Sequence, residues 1–146
     1  MANDKRRRQT GRRTSGTFAA IPHAVMDSSA WRQCGGTAIK LLCGLARQYN
    51  GRNNGNLCAA ASVLPGYAPE TRTRALRELQ HYGLALQTRQ GGLRGPSLYA
   101  VTWQAIDDCD NRLEVAPTAT APGDWKGEKR RFAAAPRKKS LLRIPK

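Results

Sequence analysis

Arg74 and Arg77 carry the chemistry with the clearest use in this chain. A guanidinium donates two parallel hydrogen bonds. It can meet guanine N7 and O6 together, or two oxygens of one phosphate. Their spacing within residues 69–83, PETRTRALRELQHYG, sets where they point. At 3.6 residues per turn, Ala75, Leu76, Leu79 and Tyr82 share one face, which predicts packing on a core. Glu70, Arg74, Arg77 and His81 share the opposite face. Thr71 and Thr73 stand in the first turns, where hydroxyls and backbone N–H groups suit phosphate oxygens. Pro69 fits the first helical turn, where its missing N–H costs nothing. Gly83 fits the C-terminal stop. The plainer alternative is a solvated helix face with Arg74 and Glu78 paired at i, i+4. Glu70 is favourable at a helix N-terminus for electrostatic reasons alone. His81 is expected at the surface beyond the reading positions.

The segment after this helix has a different period. Leu84 to Arg89 reads as a strand, Gly91-Gly92, Arg94 and Gly95-Pro96 as a turn, and Ser97 to Trp103 as a second strand. Arg89, Gln90 and Arg94 then sit on or near the hairpin, in reach of a minor groove or a phosphate backbone. A helix with an outward arginine stripe followed by a basic hairpin is the order of parts that enter and straddle a DNA groove.

Composition agrees with a polyanionic partner. The chain of 146 residues has 25 Lys+Arg against 10 Asp+Glu, a net charge of +15 and a pI near 10.7. Such a protein concentrates nucleic acid around itself, and an anionic membrane surface is the alternative partner. No apolar run approaches the roughly 18 residues needed to span a bilayer. The N-terminal arginines are not followed by an apolar segment, so a secretory signal is not expected. These features predict a soluble, cytoplasmic protein associated with the nucleoid.

Charge and periodicity divide the chain. Residues 1–17 are basic and nearly free of large apolar side chains, which predicts a disordered arm. Within it Lys5, Arg6, Arg7, Arg8, Arg12 and Arg13 suit general phosphate binding, minor-groove insertion or an RNA-binding segment that orders on contact. Residues 18–106 hold nearly all of the periodic apolar pattern. Residues 107–146 are basic and rich in Ala, Pro and Gly, which predicts a mostly unstructured tail. Trp125 and Phe132 beside basic residues either stack on unpaired bases or dock on the domain.

Phe18 to Met26 enters a helical turn near Pro22. Ser28 or Ser29 caps a short helix through Cys34, with Trp31 inward. Gly35-Gly36 breaks it, and Thr37 to Tyr49 is the clearest helix, with Ala38, Leu41, Leu42, Leu45 and Tyr49 as its core stripe. Asn50-Gly51 and Asn53-Asn54-Gly55 turn the chain. Leu57 belongs to a very short strand. Ala59 to Leu64 is expected to be a short helix closed by Pro65-Gly66.

This order resembles the winged helix-turn-helix proteins of bacteria, phages and plasmids, and more distantly the N-terminal domain of phage O-type replication proteins. The text ALRELQHYGLALQTRQGG is similar to the end of their recognition helices, and I-P-x-x-V and KLLCGLARQYNGRNNGNL also resemble members of the group. The resemblance covers about 90 residues and implies a mainly α fold with a small β-hairpin, a winged helix-turn-helix with disordered basic tails. It implies groove-facing roles for Glu70, Thr71, Thr73, Arg74 and Arg77, and wing roles for Arg89, Gln90 and Arg94. Two positions depart from the pattern. Arg72 stands where an aliphatic residue is usual, so its stem is expected to pack while its head snorkels to solvent or phosphate. Cys58 and Ala59 stand where a Ser or Thr cap is usual, so the cap is weak or comes from Asn56.

Metal and catalytic patterns are weak. Cys34, Cys43, Cys58 and Cys109 lack CxxC spacing, and neither His23 nor His81 has a neighbouring ligand pattern. Asp107, Asp108 and Asp110 read as an acidic turn after the last strand. The sequence therefore predicts no enzyme, no cofactor and no metal. Its expected partners are double-stranded DNA first, RNA second, and a second copy of the chain, with no membrane. Transcription regulation is the leading expectation. Origin binding in replication and a general RNA-binding or nucleoid-associated architectural role are the alternatives.

Overall fold

The computed structural model describes residues 16–133. The arm residues Lys5, Arg6, Arg7, Arg8, Arg12 and Arg13, and the basic run from 134 onward, lie outside them. The described residues form four helices and a three-stranded antiparallel sheet, so the fold mixes α and β. The elements run α1 (His23–Met26), α2 (Ser29–Gln33), α3 (Gly36–Gln48), β1 (Leu57–Cys58), α4 (Pro69–His81), β2 (Ala85–Arg89) and β3 (Leu98–Val101). A one-turn 3-10 segment, Cys109–Asn111, follows.

Local signals set the helix ends. Ser28 caps α2 by accepting from the Trp31 N–H at 3.2 Å. α3 buries Ala38, Leu41, Leu42 and Leu45 of the predicted stripe together with Ala46, while Tyr49 stands half-buried just past the helix end. α4 starts at Pro69 and buries Ala75 and Leu79. It ends in a Schellman motif, with Leu84 N–H donating to Leu79 C=O and Gly83 N–H to Gln80 C=O. Gly83 takes φ +73, the left-handed conformation that this stop requires.

The sheet order is β1–β3–β2. Leu57 pairs with Tyr99 and Cys58 with Leu98, while Ala85 pairs with Val101 and Gln87 with Tyr99. The predicted hairpin is thus two-thirds of a sheet, and its second strand is shorter than the expected 97–103. β1 is only two residues long, and side chains reinforce it. Gln48 donates to Cys58 C=O at 2.8 Å and accepts from Cys58 N–H at 3.0 Å. The end of α3 thereby continues the ladder.

The core lies between α3, α4 and the sheet. Val25, Leu41, Leu42, Leu45, Leu57, Leu79, Tyr82, Leu84 and Val101 are all almost fully buried. Each such aliphatic side chain contributes about 1.5–3 kcal/mol on transfer from water. Three polar residues are buried as well, Asn54, Thr88 and Thr102. Asn54 accepts from Val101 N–H at 2.9 Å and donates from Nδ2 to the carbonyls of Val101, Gln104 and Ala105. It pins the turn before β1 to the exit of β3.

Residues 59–64 do not form the expected helix. Val63 and Leu64 both donate to Ala60 C=O, which makes a single turn. At its start the Ala60 N–H meets only the weak acceptor of the Cys58 sulfur, and the Ala59 carbonyl accepts from Arg72 at 2.6 Å. Leu64 then packs into the space over Gly44, where a Cβ would lie 2.8 Å from Leu64 Cδ2. That contact explains a glycine in mid-helix despite its cost of about 0.5–1 kcal/mol.

The chain beyond 106 has no further α-helix or strand among the described residues, yet it is tied to the domain. Asp107 exchanges hydrogen bonds with the Asn54 backbone. Glu114 N–H donates to Thr88 C=O, Gly123 N–H to Thr102 C=O, and Phe132 N–H to the Tyr82 hydroxyl. Trp125 and Phe132 pack half-buried against the core. Residues 107–133 therefore act as a strap over the sheet and the end of α4.

Candidate nucleic-acid interface

α4 presents its predicted face. Glu70, Thr71, Thr73, Arg74 and Arg77 are exposed, while Ala75 and Leu79 are buried behind them. The helix N-terminus has no side-chain cap, so the first N–H groups point outward from an unblocked end. Thr73 donates its hydroxyl to Pro69 C=O at 3.0 Å, which leaves its lone pairs facing out. Glu78 does not pair with Arg74. Its carboxylate accepts from Gly35 N–H at 2.7 Å and so ties α4 to the start of α3.

The candidate residues divide between two concavities on either side of the hairpin. The first is a groove of about 610 Å³ between α4 and the hairpin. It is lined by Thr73, Arg77 and Gln80 from the helix, and by Gln87, Gln90, Ser97 and Tyr99 from the hairpin. The second is a cleft of about 410 Å³ on the hairpin's other face, lined by Asn56, Arg89, Arg94 and Arg112 among others. Neither lining contains an acid. Glu70, Thr71 and Arg74 line neither and stand free on the helix.

A β-bulge produces this division. In an unbroken strand Gln87 and Arg89 would share a face. Here Gln87 pairs with Tyr99 and Arg89 with Leu98, leaving Thr88 as the extra residue. Thr88 turns inward, is 1% exposed, and donates to Gly55 C=O. Arg89 therefore sits with Leu98 on the outer face, and Gln87 stays with Tyr99 on the groove face. At the hairpin tip Gly92 and Gly95 exchange backbone hydrogen bonds, which projects Leu93 and Arg94 into solvent.

Arg72 departs from its expected role. Its head does not reach solvent: Nη1 donates to Ala59 C=O, the guanidinium lies 5.2 Å from the Tyr67 ring centre, and Nη2 is buried without a partner. It braces the 59–64 turn against α4. His81 is half-buried under the strap, with Nε2 against the Arg130 carbonyl and its ring against Tyr82 and Phe132.

Gln80, Gln87, Ser97, Tyr99, Asn56 and Arg112 were not predicted. Gln87 lies within β2 and Ser97 just before β3, where the facing of the strands depends on the bulge. Arg112 reaches the hairpin only because the strap returns. Burial pushes the Tyr99 phenol up, Ser97 acting against this and Cys58 adding to it, so the groove presents a neutral hydroxyl. The thiols of Cys34, Cys43 and Cys109 are raised too. Burial and the Glu78 carboxylate push Cys34 up to about 12 despite the Gly35 N–H, and burial raises Cys43. Burial first, then Asp107, raises Cys109. Among the described residues no group of three His, Cys, Asp or Glu side chains could hold a metal ion. No helix among them is long and apolar enough to cross a membrane. Comparison of the chain with protein families, curated proteins and solved structures returns no match to any of them.

Proposed function

We propose that this protein binds duplex DNA through a winged helix-turn-helix, with α4 as the recognition helix and the β2–β3 hairpin as the wing, and that it regulates transcription. The element order α3, β1, turn, α4, β2, hairpin, β3 supports the fold reading. So does the sheet order β1–β3–β2, which places the hairpin beside the C-terminal end of α4. The 59–64 turn takes the place of the helix that usually precedes the recognition helix.

The observation that carries the functional reading is the outward face of α4. Arg74 and Arg77 project from a helix whose other face is locked into the core, and whose flank is tied to α3 through Glu78. A rigid helix with exposed arginines fits a major groove about 12 Å wide. In this account Arg77 and Arg74 read guanine edges, while Thr71, Thr73 and the uncapped N–H groups meet phosphate. Arg94 at the tip reaches the adjacent backbone or minor groove. The charge of +15 supplies the salt-sensitive part of the affinity.

Selection of bound fragments from random duplex DNA tests the proposal. The expected outcome is one enriched motif bound at least a hundredfold more tightly than unrelated duplex at the same salt concentration. Motifs placed upstream of genes support transcription control, and repeated motifs beside a replication gene support origin binding instead. Equal affinity for all duplexes and for RNA would overturn the reading in favour of an architectural role.

A further inference from the structure

We infer that the cleft on the outer face of the hairpin is a second phosphate site, which grips the nucleic-acid backbone on the side away from α4 through Arg89, Arg94 and Arg112. The inference rests on the duplex-binding reading for the identity of the phosphate, but on its own geometry for the site.

Three independent devices bring these guanidiniums to one place. The bulge at Thr88 moves Arg89 out of the α4 groove and onto the Leu98 face. The Gly92–Gly95 bridge closes the tip so that Arg94 stands exposed above the same cleft. The strap delivers Arg112 through a turn of unusual conformation. Cys109, Asp110 and Asn111 have φ of 50, 55 and 59, all left-handed and none of them glycine. L-residues resist this conformation, and such strain concentrates where a side chain has to be aimed. The turn is held by Arg112 N–H donating to Cys109 C=O at 3.2 Å and by Asp107 bonded to the Asn54 backbone.

The electrostatics favour an anion there. Three permanent cations line a cleft of about 410 Å³ with no acid in its wall. Glu114, the next acid along the strap, turns its carboxylate to the Gln90 N–H at 3.2 Å. Planar guanidinium forks match phosphate oxygens in pairs, and the half-buried Asn56 adds an amide to the wall. On the other face the hairpin itself offers only Gln87, Gln90, Pro96, Ser97 and Tyr99, and the arginines of that groove, Arg72 and Arg77, come from α4. The hairpin thus has one face suited to bases and sugar and one suited to phosphate. Such a wedge lies along a backbone and grips it from outside.

Arg112 gives the clean test, because it belongs to neither α4 nor the hairpin and its side chain is exposed. Arg112→Gln should lower the log–log salt slope of duplex binding by about one, as expected for one phosphate contact. Arg112→Lys should restore most of it, and neither should change the preferred sequence. Hydroxyl-radical footprints should lose protection of one backbone stretch only. An unchanged slope and footprint with Arg112→Gln, in a protein that binds duplex normally, would overturn the inference and leave the α4 reading intact. Should the full chain not bind duplex, inorganic pyrophosphate is titrated against the NMR signals of Asn56, Arg89 and Arg112. Shifts confined to that cleft keep the site as one for free phosphates, and their absence overturns it.

Discussion

Replacing Asn54 by alanine should destabilise the protein more than any other single loss of polar contacts described above. The side chain is fully buried. It accepts from Val101 N–H at 2.9 Å and shares two amide protons among the carbonyls of Val101, Gln104 and Ala105 at 3.0–3.1 Å. One unpaired buried donor or acceptor costs about 1–3 kcal/mol. Alanine strands one N–H and leaves three carbonyls short of protons, and water entering the vacated space recovers part of the loss. The net loss is about 3–5 kcal/mol, a large share of the roughly 5–15 kcal/mol of a typical domain. At about 4–8 °C per kcal/mol, Tm should fall by on the order of 12–40 °C. Urea melts followed by tryptophan fluorescence measure it. Asn54→Asp sharpens the test, since one oxygen keeps the Val101 N–H while the other faces three carbonyl oxygens. Its loss at neutral pH should equal or exceed that of alanine. The folded-state pKa of that carboxyl is raised, so the folded form holds more protons and stability returns as pH falls. A loss below about 1 kcal/mol for alanine, with no pH dependence for aspartate, would refute the reasoning.

Other expectations follow from single contacts. Cys34 is held up to about 12 against an ordinary value of 9.0, by burial first and by the Glu78 carboxylate second. The folded state therefore keeps a proton that the unfolded chain loses, so stability is intact below about pH 9 and falls between 9 and 12. Cys34→Ala should flatten that alkaline limb in pH-dependent urea melts, and Glu78→Gln should move it only partly because burial remains. Gly83→Ala meets both a positive φ and the Asp124 carbonyl, onto which its Cβ would fall. It should cost more than about 1 kcal/mol and loosen the strap, seen as faster proteolysis near Trp125 with α3 and α4 still protected. Deleting residues 1–17 should flatten the salt dependence of binding to random duplex, because six basic side chains are lost.

Much of the helical framework could be read from the residues in order. The stripe Ala38, Leu41, Leu42, Leu45 defines α3 because helical periodicity is a local property. Pro69 and Gly83 bracket α4 because their backbone preferences act where they stand. The exposure of Glu70, Arg74 and Arg77 followed from the same period, whereas Thr71 and Thr73 were implied by the resemblance and His81, on the periodic face, is half-buried under the strap. What escaped depends on partners far along the chain. Asn54 looked like a turn residue, yet its side chain serves β3 some 47 residues later. Gln48 looked like a helix-end polar residue, yet it completes the β1 ladder. Arg72 looked exposed until the Ala59 carbonyl and the Tyr67 ring claimed its head. The bulge at Thr88 moves Arg89 from one face to the other, which a strict period of two cannot anticipate. Docking of Trp125 and Phe132 was one of two readings, but the path of the strap was hidden because its other attachments are isolated hydrogen bonds with no repeating pattern.

The central claim is that the outward arginines of α4 read base edges. The measurement that tests it most directly compares Arg74→Gln and Arg77→Gln with the parent on the selected site and on scrambled duplex, at one fixed salt concentration. Circular dichroism and melting should match the parent, because both side chains are exposed. Each variant should lose about 1–3 kcal/mol on the selected site, and much less on scrambled DNA, so that discrimination collapses. Equal losses on both duplexes, with discrimination preserved, would contradict it.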